Sequence, residues 1–271
     1  MNKLLVICGP TATGKTALAV ALAKQFNGEM VSADSRQVYK GMDIATGKDR
    51  DPDIPIWMYD VVSPDEKFSV SQYQKLAEKA ITDITARGKL PIVVGGTGLY
   101  INALIHPFET INIPPNLRLR KKFQNMTIQE LQNMTARGDM NQSDWNNPRR
   151  LIRKIEIAES KTVTPKQPNT FDYLMIGLTA PLPMLYQRID TRLKSRVRAG
   201  LVRETASLLA RYRPDLPSMS AIGLNEHAYA RRQLTWFKKQ KGIHWFDVTD
   251  PKFTDKVAAL VAAWYTTDNC V

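Results

Sequence analysis

A glycine-rich loop near the start of the sequence constrains the fold more than any other feature. It matches the pattern GxxxxGK[ST] in full, and its residues are Gly9, Pro10, Thr11, Ala12, Thr13, Gly14, Lys15 and Thr16. An apolar, β-rich run precedes the loop and a helix-forming run follows it. In this context backbone N–H groups close around a phosphate, Lys15 adds a positive charge, and the Thr16 hydroxyl can hold Mg²⁺. The loop therefore predicts phosphate or diphosphate binding, and whether ATP is its ligand stays open.

The apolar runs along the chain predict an α/β fold. Strand candidates lie at 3–8, 30–33, 90–94, 173–178 and 243–246. A helical pattern at 68–87, with Ser69 or Ser71 as its N-cap and Gly88 at its end, separates the second run from the third. Because strands that alternate with helices form parallel sheets, we expect a P-loop nucleotide-kinase-like parallel sheet of about five strands flanked by helices.

One region interrupts this alternation. Residues 114–164 are polar, basic and helical in pattern, with no strand signal. We interpret them as a small helical insertion, and we assign residues 1–113 and 165–271 to the catalytic core.

The net charge comes from one part of the sequence. The chain has 38 Lys and Arg residues and 26 Asp and Glu residues, a formal charge of +12. Residues 1–110 hold 12 basic and 12 acidic residues, whereas 111–271 hold 26 basic and 14 acidic residues. A basic half joined to a neutral half is typical of nucleic-acid-binding proteins, although many soluble proteins are simply basic.

The composition excludes several classes of protein. No apolar run approaches the ~18 residues of a membrane helix, and the first apolar run leads straight into the glycine loop, unlike a signal peptide. Two cysteines, Cys8 and Cys270, exclude a disulfide framework and a four-cysteine zinc site. We expect a cytoplasmic monomer with no membrane association.

An acidic residue follows the second strand candidate rather than the third. The third run ends in glycines around Thr97, which let a ligand approach the backbone. Asp34 follows the second run, and the carboxyl ends of parallel strands share one edge, so Asp34 should face Lys15. There it can accept a proton from an attacking nucleophile; the alternatives are a turn residue or an indirect Mg²⁺ partner.

Three groups of cations fall in the basic half. Arg149 and Arg153 lie one helical turn apart, which suits a phosphate backbone, although a solvated charged face has the same pattern. The block at 230–239 mixes cations with aromatic residues, as single-stranded nucleic-acid surfaces do, although Trp236 and Phe237 also fit a core position. A third pair, Arg188 and Arg192, can reach a phosphate or bridge acids.

Several blocks, in this order, resemble the tRNA dimethylallyltransferases, also called tRNA isopentenyltransferases. They are GPTATGKT at 9–16, ADSRQVYKGMDIATGK at 33–48, GGTGLYINAL at 95–104, NPRRLIRKIEI at 147–157, ARRQLTWFKK at 230–239 and GIHWFD at 242–247. The resemblance covers nearly the whole chain. It implies transfer of a dimethylallyl group from dimethylallyl diphosphate to N6 of the adenosine next to the anticodon, at position 37 of tRNA, with Mg²⁺ as cofactor.

The resemblance also implies roles for individual residues. The loop would hold the diphosphate, with Lys15 stabilising its charge, Thr16 binding the metal, Asp34 accepting the N6 proton and Arg192 clamping the leaving group. The positions that match tRNA contacts of the family are Asp34, Ser35, Arg36, Gln37, Thr97, Arg120, Arg149, Arg150, Leu151, Ile152, Arg153, Arg231, Arg232, Gln233, Trp236 and Lys238. The anticodon stem-loop is thus the expected partner of the insertion.

The sequence departs from the family pattern in four places. The insertion is short, and about twenty residues are absent between Glu226 and the block at 230–239. Leu224 and Asn225 replace an aromatic and a basic residue, and Arg196 stands where a methionine is usual. Three other functions stay open: a small-molecule P-loop kinase, a transferase acting on free AMP, and an RNA-binding protein without activity.

Overall fold

Six parallel strands form the sheet of the described part of the chain. The computed structural model describes residues 2–106, 110–111, 113–138, 140–160, 171–221 and 225–266. The strands are β1 (Asn2–Cys8), β2 (Gly28–Ser32), β3 (Ile56–Trp57), β4 (Leu90–Gly95), β5 (Phe171–Thr179) and β6 (Ile243–Asp247), in the spatial order β3-β2-β4-β1-β5-β6. The five predicted strands and their parallel arrangement are confirmed. The additional strand, β3, has only two residues and directly follows Pro55, and a proline within an apolar run weakens the signal for a strand.

Some of the described helices connect these strands, and the remaining helices form a separate group. In chain order they are α1 (Lys15–Gln25), α2 (Asp43–Thr46), α3 (Val70–Ala86), α4 (Gly98–Ile105), α5 (Leu117–Phe123), α6 (Ile128–Asn133), α7 (Gln142–Trp145), α8 (Pro148–Glu159), α9 (Leu182–Arg198), α10 (Leu201–Arg211), α11 (Glu226–Phe237) and α12 (Phe253–Thr266), with a 3₁₀ turn at Pro217–Ala221. No described helix is long and apolar enough to cross a membrane.

Strand β1 lies in the middle of the sheet, and its neighbours cover both of its edges and both of its faces. Leu4 to Cys8 are fully buried. Val6 is level with Val93 of β4 and with Met175 of β5. Side chains alternate between the faces of a strand. Leu4 and Val6 therefore pack in one apolar cluster with α3 and α4, whereas Leu5 and Ile7 pack in a second cluster with α1 and α12.

Helix α3 shows how local sequence sets an element's start. Of the two predicted N-caps, Ser69 is the one used: its hydroxyl accepts from the Gln72 N–H, and the Gln72 side chain accepts from the Ser69 N–H. This capping box satisfies two N–H groups that the first turn would leave without partners. The helix ends at Ala86, and Gly88 follows with a φ of 69°.

The chain forms two compact units. The larger comprises Met1–His106 and Asn169–Val271, and the smaller is Pro107–Pro168. The described part of the smaller unit consists of α5 to α8 around Phe123, Leu131 and two residues of α8. The predicted insertion, 114–164, lies within this unit, and its boundary at 164/165 falls outside the described residues.

Parallel pairing places the ends of β1, β2 and β4 at one edge of the larger unit. At this edge β4 approaches β2 so closely that a Cβ on Gly95 would overlap the Ala33 carbonyl group. Gly95 is not among the residues with positive φ. The glycine is therefore required by space rather than by backbone conformation.

We predict that Gly95→Ala lowers the free energy of unfolding by about 3 kcal/mol, at the upper end of overpacking costs. The control is Gly88→Ala, where the new Cβ meets nothing within 4 Å and only the left-handed backbone is strained, at about 1 kcal/mol. Urea denaturation measures both. Equal losses would contradict the close approach of the two strands.

Candidate active site

The glycine loop wraps the end of β1 and leads directly into α1. Gly9 has a φ of 135°, and Gly14, the N-cap of α1, has a φ of 85° in the left-handed region that favours glycine. The Thr13 hydroxyl donates to the Pro10 carbonyl at 2.9 Å and fixes the turn. The predicted strand–loop–helix arrangement is confirmed, and the first N–H groups of α1 are left for an anion.

Lys15 is a half-buried cation that the loop itself holds in place. Its Nζ donates to the Pro10 carbonyl at 2.7 Å. Burial and the neighbouring Arg192 lower the pKa of Lys15 to about 8, against the opposite effect of Asp34 and Cys8. Burial has the opposite effect on the neighbouring thiol: it raises the pKa of Cys8 to about 12, so this group stays protonated. An anion bound beside Lys15 would offset the hydration that this ammonium group has lost on burial.

A cavity of about 210 Å³ lies beside the loop, at the carboxyl edge of the sheet. Ten of the predicted site residues line it: Thr11, Ala12, Gly14, Lys15, Thr16, Asp34, Arg36, Gln37, Arg192 and Gln233. The structure thus brings the loop, the end of β2 and two helices of the second half to one place. Asp34 faces the same cavity as Lys15, as its position after β2 predicts.

Oxygen atoms available for a ligand or metal belong to Thr16 and Asp34. The Asp34 Oδ1 accepts from the Arg36 N–H at 2.9 Å. Within the described residues, no hydrogen bond involves the Asp34 Oδ2 or the Thr16 hydroxyl. The same part of the chain contains no cluster of three or more His, Cys, Asp or Glu side chains that could hold a metal ion.

Gln233 joins the glycine loop to the end of β4. Its Oε1 accepts from the Thr11 N–H at 2.8 Å, and its Nε2 donates to the Gly96 carbonyl at 3.0 Å. The side chain is buried, and a Cβ on Gly96 would overlap its amide. In this structure Gln233, which matches a tRNA-contacting position, has a structural role that the sequence did not reveal.

Thr97 fixes the segment after β2. Its hydroxyl oxygen accepts from the Ser35 N–H at 3.0 Å and lies 3.3 Å from the Ser35 Oγ. Gln37 is held in a similar way, with its Oε1 accepting from the Ser32 hydroxyl at 2.8 Å and its Nε2 donating to the Gly47 carbonyl at 2.8 Å. These contacts hold Asp34 at the cavity. Thr97 and Ser35 do not line the cavity themselves.

Helix α11 presents cations and aromatic rings beside the cavity. The ring of Tyr229 lies 4.7 Å from the Arg36 guanidinium and 5.9 Å from that of Arg232. Arg231 donates to the Tyr186 hydroxyl at 3.1 Å. The indole of Trp236 packs so close to the start of α4 that a Cβ on Gly98 would overlap it.

The core interpretation and the nucleic-acid interpretation of the block at 230–239 concern different residues. Phe237 is fully buried, and Trp236 packs against the core cluster, as the core interpretation predicts. Arg231, Arg232 and Lys238 are exposed. Their contacts with tRNA stay a prediction.

The predicted cations of the smaller unit divide into two groups. Glu156 is buried, and it binds Arg120 at 2.7 Å and Arg153 at 3.2 Å. Burial alone would raise the pKa of Glu156, but these bonds and one from the Asn116 N–H outweigh it and lower the pKa. Arg153 also donates to the Thr110 and Ile113 carbonyls. Arg120 and Arg153 therefore have structural partners.

The rest of this block lies in the core or on the surface. Leu151 is fully buried and Ile152 half-buried. Arg150 forms an ion pair with Asp144. Arg149 is exposed, and it shows no ion pair within the described residues. Of the five residues at 149–153, Arg149 is thus the most accessible to a phosphate backbone.

Arg192 joins the site from α9. One Nη2 atom donates to the Thr11 hydroxyl at 2.6 Å and to the Glu226 carboxylate at 2.5 Å. Arg196, one turn further along, binds the other oxygen of Glu226 at 2.9 Å. Both Arg196 and Glu226 line the cavity. The sequence alone gives no role to Arg196 or Glu226, because each lies about thirty residues along the chain from its partner.

The fold and the site define a P-loop protein of the α/β class with a polar, cation-lined cavity at the carboxyl edge of its sheet. A family model described as IPP transferase matches residues 37–228, and a second, described as isopentenyl transferase, matches residues 2–56. The chain is 38% identical to a tRNA dimethylallyltransferase of Roseiflexus sp. (strain RS-1), over 97% of this chain and 99% of the relative. The chain belongs to the IPP transferase family.

Solved structures agree with this assignment. A tRNA isopentenylpyrophosphate transferase from Bacillus halodurans superposes with a TM-score of 0.72 at 34% identity, covering 97% of each chain. A eukaryotic dimethylallyltransferase, described as acting on tRNA, superposes with a TM-score of 0.80 at 26% identity, covering 99% of this chain and 80% of the other.

We predict that Gln233→Leu lowers the free energy of unfolding by about 2 kcal/mol or more, because it leaves the Thr11 N–H and the Gly96 carbonyl without partners. The control is Gln240→Leu, since Gln240 makes a single bond to the Trp236 carbonyl; its cost should be below about 0.5 kcal/mol. Urea denaturation measures both. Normal stability with lost tRNA binding would instead make Gln233 an RNA contact.

Proposed function

We propose that the protein transfers a dimethylallyl group from dimethylallyl diphosphate to N6 of the adenosine at position 37 of tRNA. The observation that carries the proposal is the shared cavity of Lys15, Thr16 and Asp34 at the carboxyl edge of the sheet. It combines an anion-binding loop with a carboxylate beside it. The relatives named as tRNA dimethylallyltransferases support the same reaction.

The proposed reaction is a substitution at an allylic carbon. The N6 nitrogen attacks C1 of the donor, a C–N bond forms, and the C–O bond to the diphosphate breaks. The electron pair of that bond leaves with the diphosphate, whose growing negative charge Lys15, the loop N–H groups and Arg192 stabilise. Asp34 accepts the proton that N6 loses. Gln37 and Thr97 hold the segment around Asp34 in place for this transfer.

Mg²⁺ fits the oxygen atoms present at the cavity. The Thr16 hydroxyl and the Asp34 carboxylate offer the oxygen ligands that Mg²⁺ prefers. Substrate phosphates and water usually complete the coordination of this ion. Thr16 would hold it directly, with Asp34 as a nearby carboxylate. When bound, the ion would neutralise part of the diphosphate charge.

The acceptor must come to the protein as an extruded base. An adenosine beside the anticodon is stacked in its loop, and N6 reaches a cavity only if the base turns out of the stack. The charge excess of the second half of the chain supports an RNA partner. Arg149 in the smaller unit, and Arg231, Arg232 and Lys238 in the larger, offer exposed cations for its backbone.

The general-base role makes a kinetic prediction. Asp34→Asn should lower the single-turnover rate of transfer by about 10²–10⁴-fold, as expected for loss of an acid–base group, because the amide cannot accept the proton. The dissociation constant for tRNA should change little. Rapid-quench kinetics at saturating tRNA and donor measure the rate. Asp65→Asn serves as a control, because Asp65 is exposed and does not line the cavity. Weaker tRNA binding with an unchanged rate would contradict the role of Asp34.

The lowered pKa of Lys15, about 8, makes a pH prediction. Above this pH the free protein must take up a proton to bind the donor, so the dissociation constant should rise towards tenfold per pH unit, following proton linkage. The ligand does not oppose this trend, since the last ionisation of a phosphate ester lies near pH ~6. Calorimetry between pH 7 and 9.5 measures the dependence. Lys15→Met should bind weakly at every pH, and an inflection near pH 8 in that variant would contradict the assignment.

A further inference from the structure

One wall of the cavity carries a charge arrangement that the reaction above leaves unexplained. Arg192 and Arg196 lie four residues apart on α9, and Glu226 is the first residue of α11. The Glu226 Oε2 lies 2.5 Å from Arg192 and its Oε1 lies 2.9 Å from Arg196. A single carboxylate thus bridges two guanidinium groups. We refer to these three side chains as the bridged triad.

Arg196 has a fixed position and is not a solvated surface charge. Its side chain is 14% exposed. Its guanidinium lies against the turn after α2, where a Cβ on Gly47 would overlap it. Burial, followed by the proximity of Arg192, lowers the pKa of Arg196 from its ordinary high value. Holding this cation here therefore costs desolvation, which Glu226 and a neighbouring carboxylate, Asp49, partly offset.

Glu226 places a negative charge where an anion must bind. Arg192 already donates to Thr11 in the glycine loop, and its buried Nε has no hydrogen-bond partner within the described residues. Paired with Glu226 alone, Arg192 would form a neutral ion pair, and the carboxylate would repel a diphosphate. With Arg196 on the other carboxylate oxygen, the bridged triad keeps one net positive charge.

We propose that Arg196 is a positioning residue for diphosphate binding. It neutralises the charge of Glu226, so that the positive charge of Arg192 stays available to the ligand. Glu226 in turn holds the two like-charged arginines together on α9, where side chains four residues apart otherwise repel each other. The identity of the ligand rests on the function proposed above. The charge balance itself rests on the contacts within the bridged triad.

The test compares two arginines on the same helix. Arg196→Met should weaken the binding of inorganic diphosphate about tenfold or more, because Glu226 then neutralises Arg192 in a poorly screened cavity. The matched control, Arg198→Met, removes an exposed cation of α9 and should change the dissociation constant less than about twofold. Calorimetry measures both. The KM for dimethylallyl diphosphate should rise in parallel with the dissociation constant, and kcat should fall as well, because Arg192 also stabilises the charge that develops on the leaving diphosphate.

Rescue separates this electrostatic role from a packing role. The double variant Arg196→Met/Glu226→Gln also removes the carboxylate that neutralises Arg192, so it restores one net positive charge and should bind diphosphate at close to wild-type affinity. Arg196→Lys keeps the charge and should also remain close to the wild type. If Arg196→Met does not fold, Arg196→Gln, which also removes the charge, replaces it in the comparison. Wild-type affinity of Arg196→Met, or a double variant weaker than the single one, would overturn the proposal.

The same measurements distinguish this proposal from the proposed function. If the wild-type protein binds diphosphate with the expected effects of Arg196 and Glu226 but transfers nothing to tRNA, the reaction is wrong and the role of Arg196 stands. If transfer to tRNA proceeds and Arg196→Met binds diphosphate like the wild type, the reaction stands and the role of Arg196 is wrong.

Discussion

The parallel pairing of β1 with β4 and β5 is the constraint on which the site depends. Cys8, the last residue of β1, is level with Gly95 on one side and Gly177 on the other. This register brings the glycine loop, the end of β4 and the start of α9 to one edge of the sheet. A shift of the register would separate Lys15 from Asp34, because the strands that these residues follow set their positions along the edge. The buried apolar run of β1 fixes the register, since both of its faces are packed.

Side-chain bonds then hold the loops in the geometry that the sheet allows. Gln233 ties the glycine loop to β4, and Thr97 ties the end of β4 to the segment that carries Asp34. The bridged triad joins α9 to α11 at the same cavity. Each of these contacts joins residues that lie at least thirty positions apart in the sequence. The site is therefore a product of the complete larger unit, and its cations are held in place before a ligand arrives, which reduces the cost of ordering them on binding.

The sequence predicted those parts of the fold and site that local patterns carry. The glycine loop, five of the strands and the Ser69 cap follow from runs of neighbouring residues, and Asp34 follows from the general rule for ligand sites in parallel sheets. The roles of Gln233, Glu226 and Arg196 could not be predicted in this way, because a buried amide and a bridged carboxylate have no periodicity. The cations of α8 show the same limit: a helical repeat of arginines does not reveal that Arg153 is bound to Glu156 and to two carbonyls.

The most direct test of the account is one incubation of the protein with Mg²⁺, labelled dimethylallyl diphosphate, and either unmodified tRNA or free AMP. The account predicts label in tRNA alone, on the N6 of adenosine 37, with diphosphate released in equal amount. Label in AMP alone would contradict it by making a nucleotide the acceptor. Label in neither, with tRNA still bound, would contradict it by leaving the protein an RNA-binding member of its family.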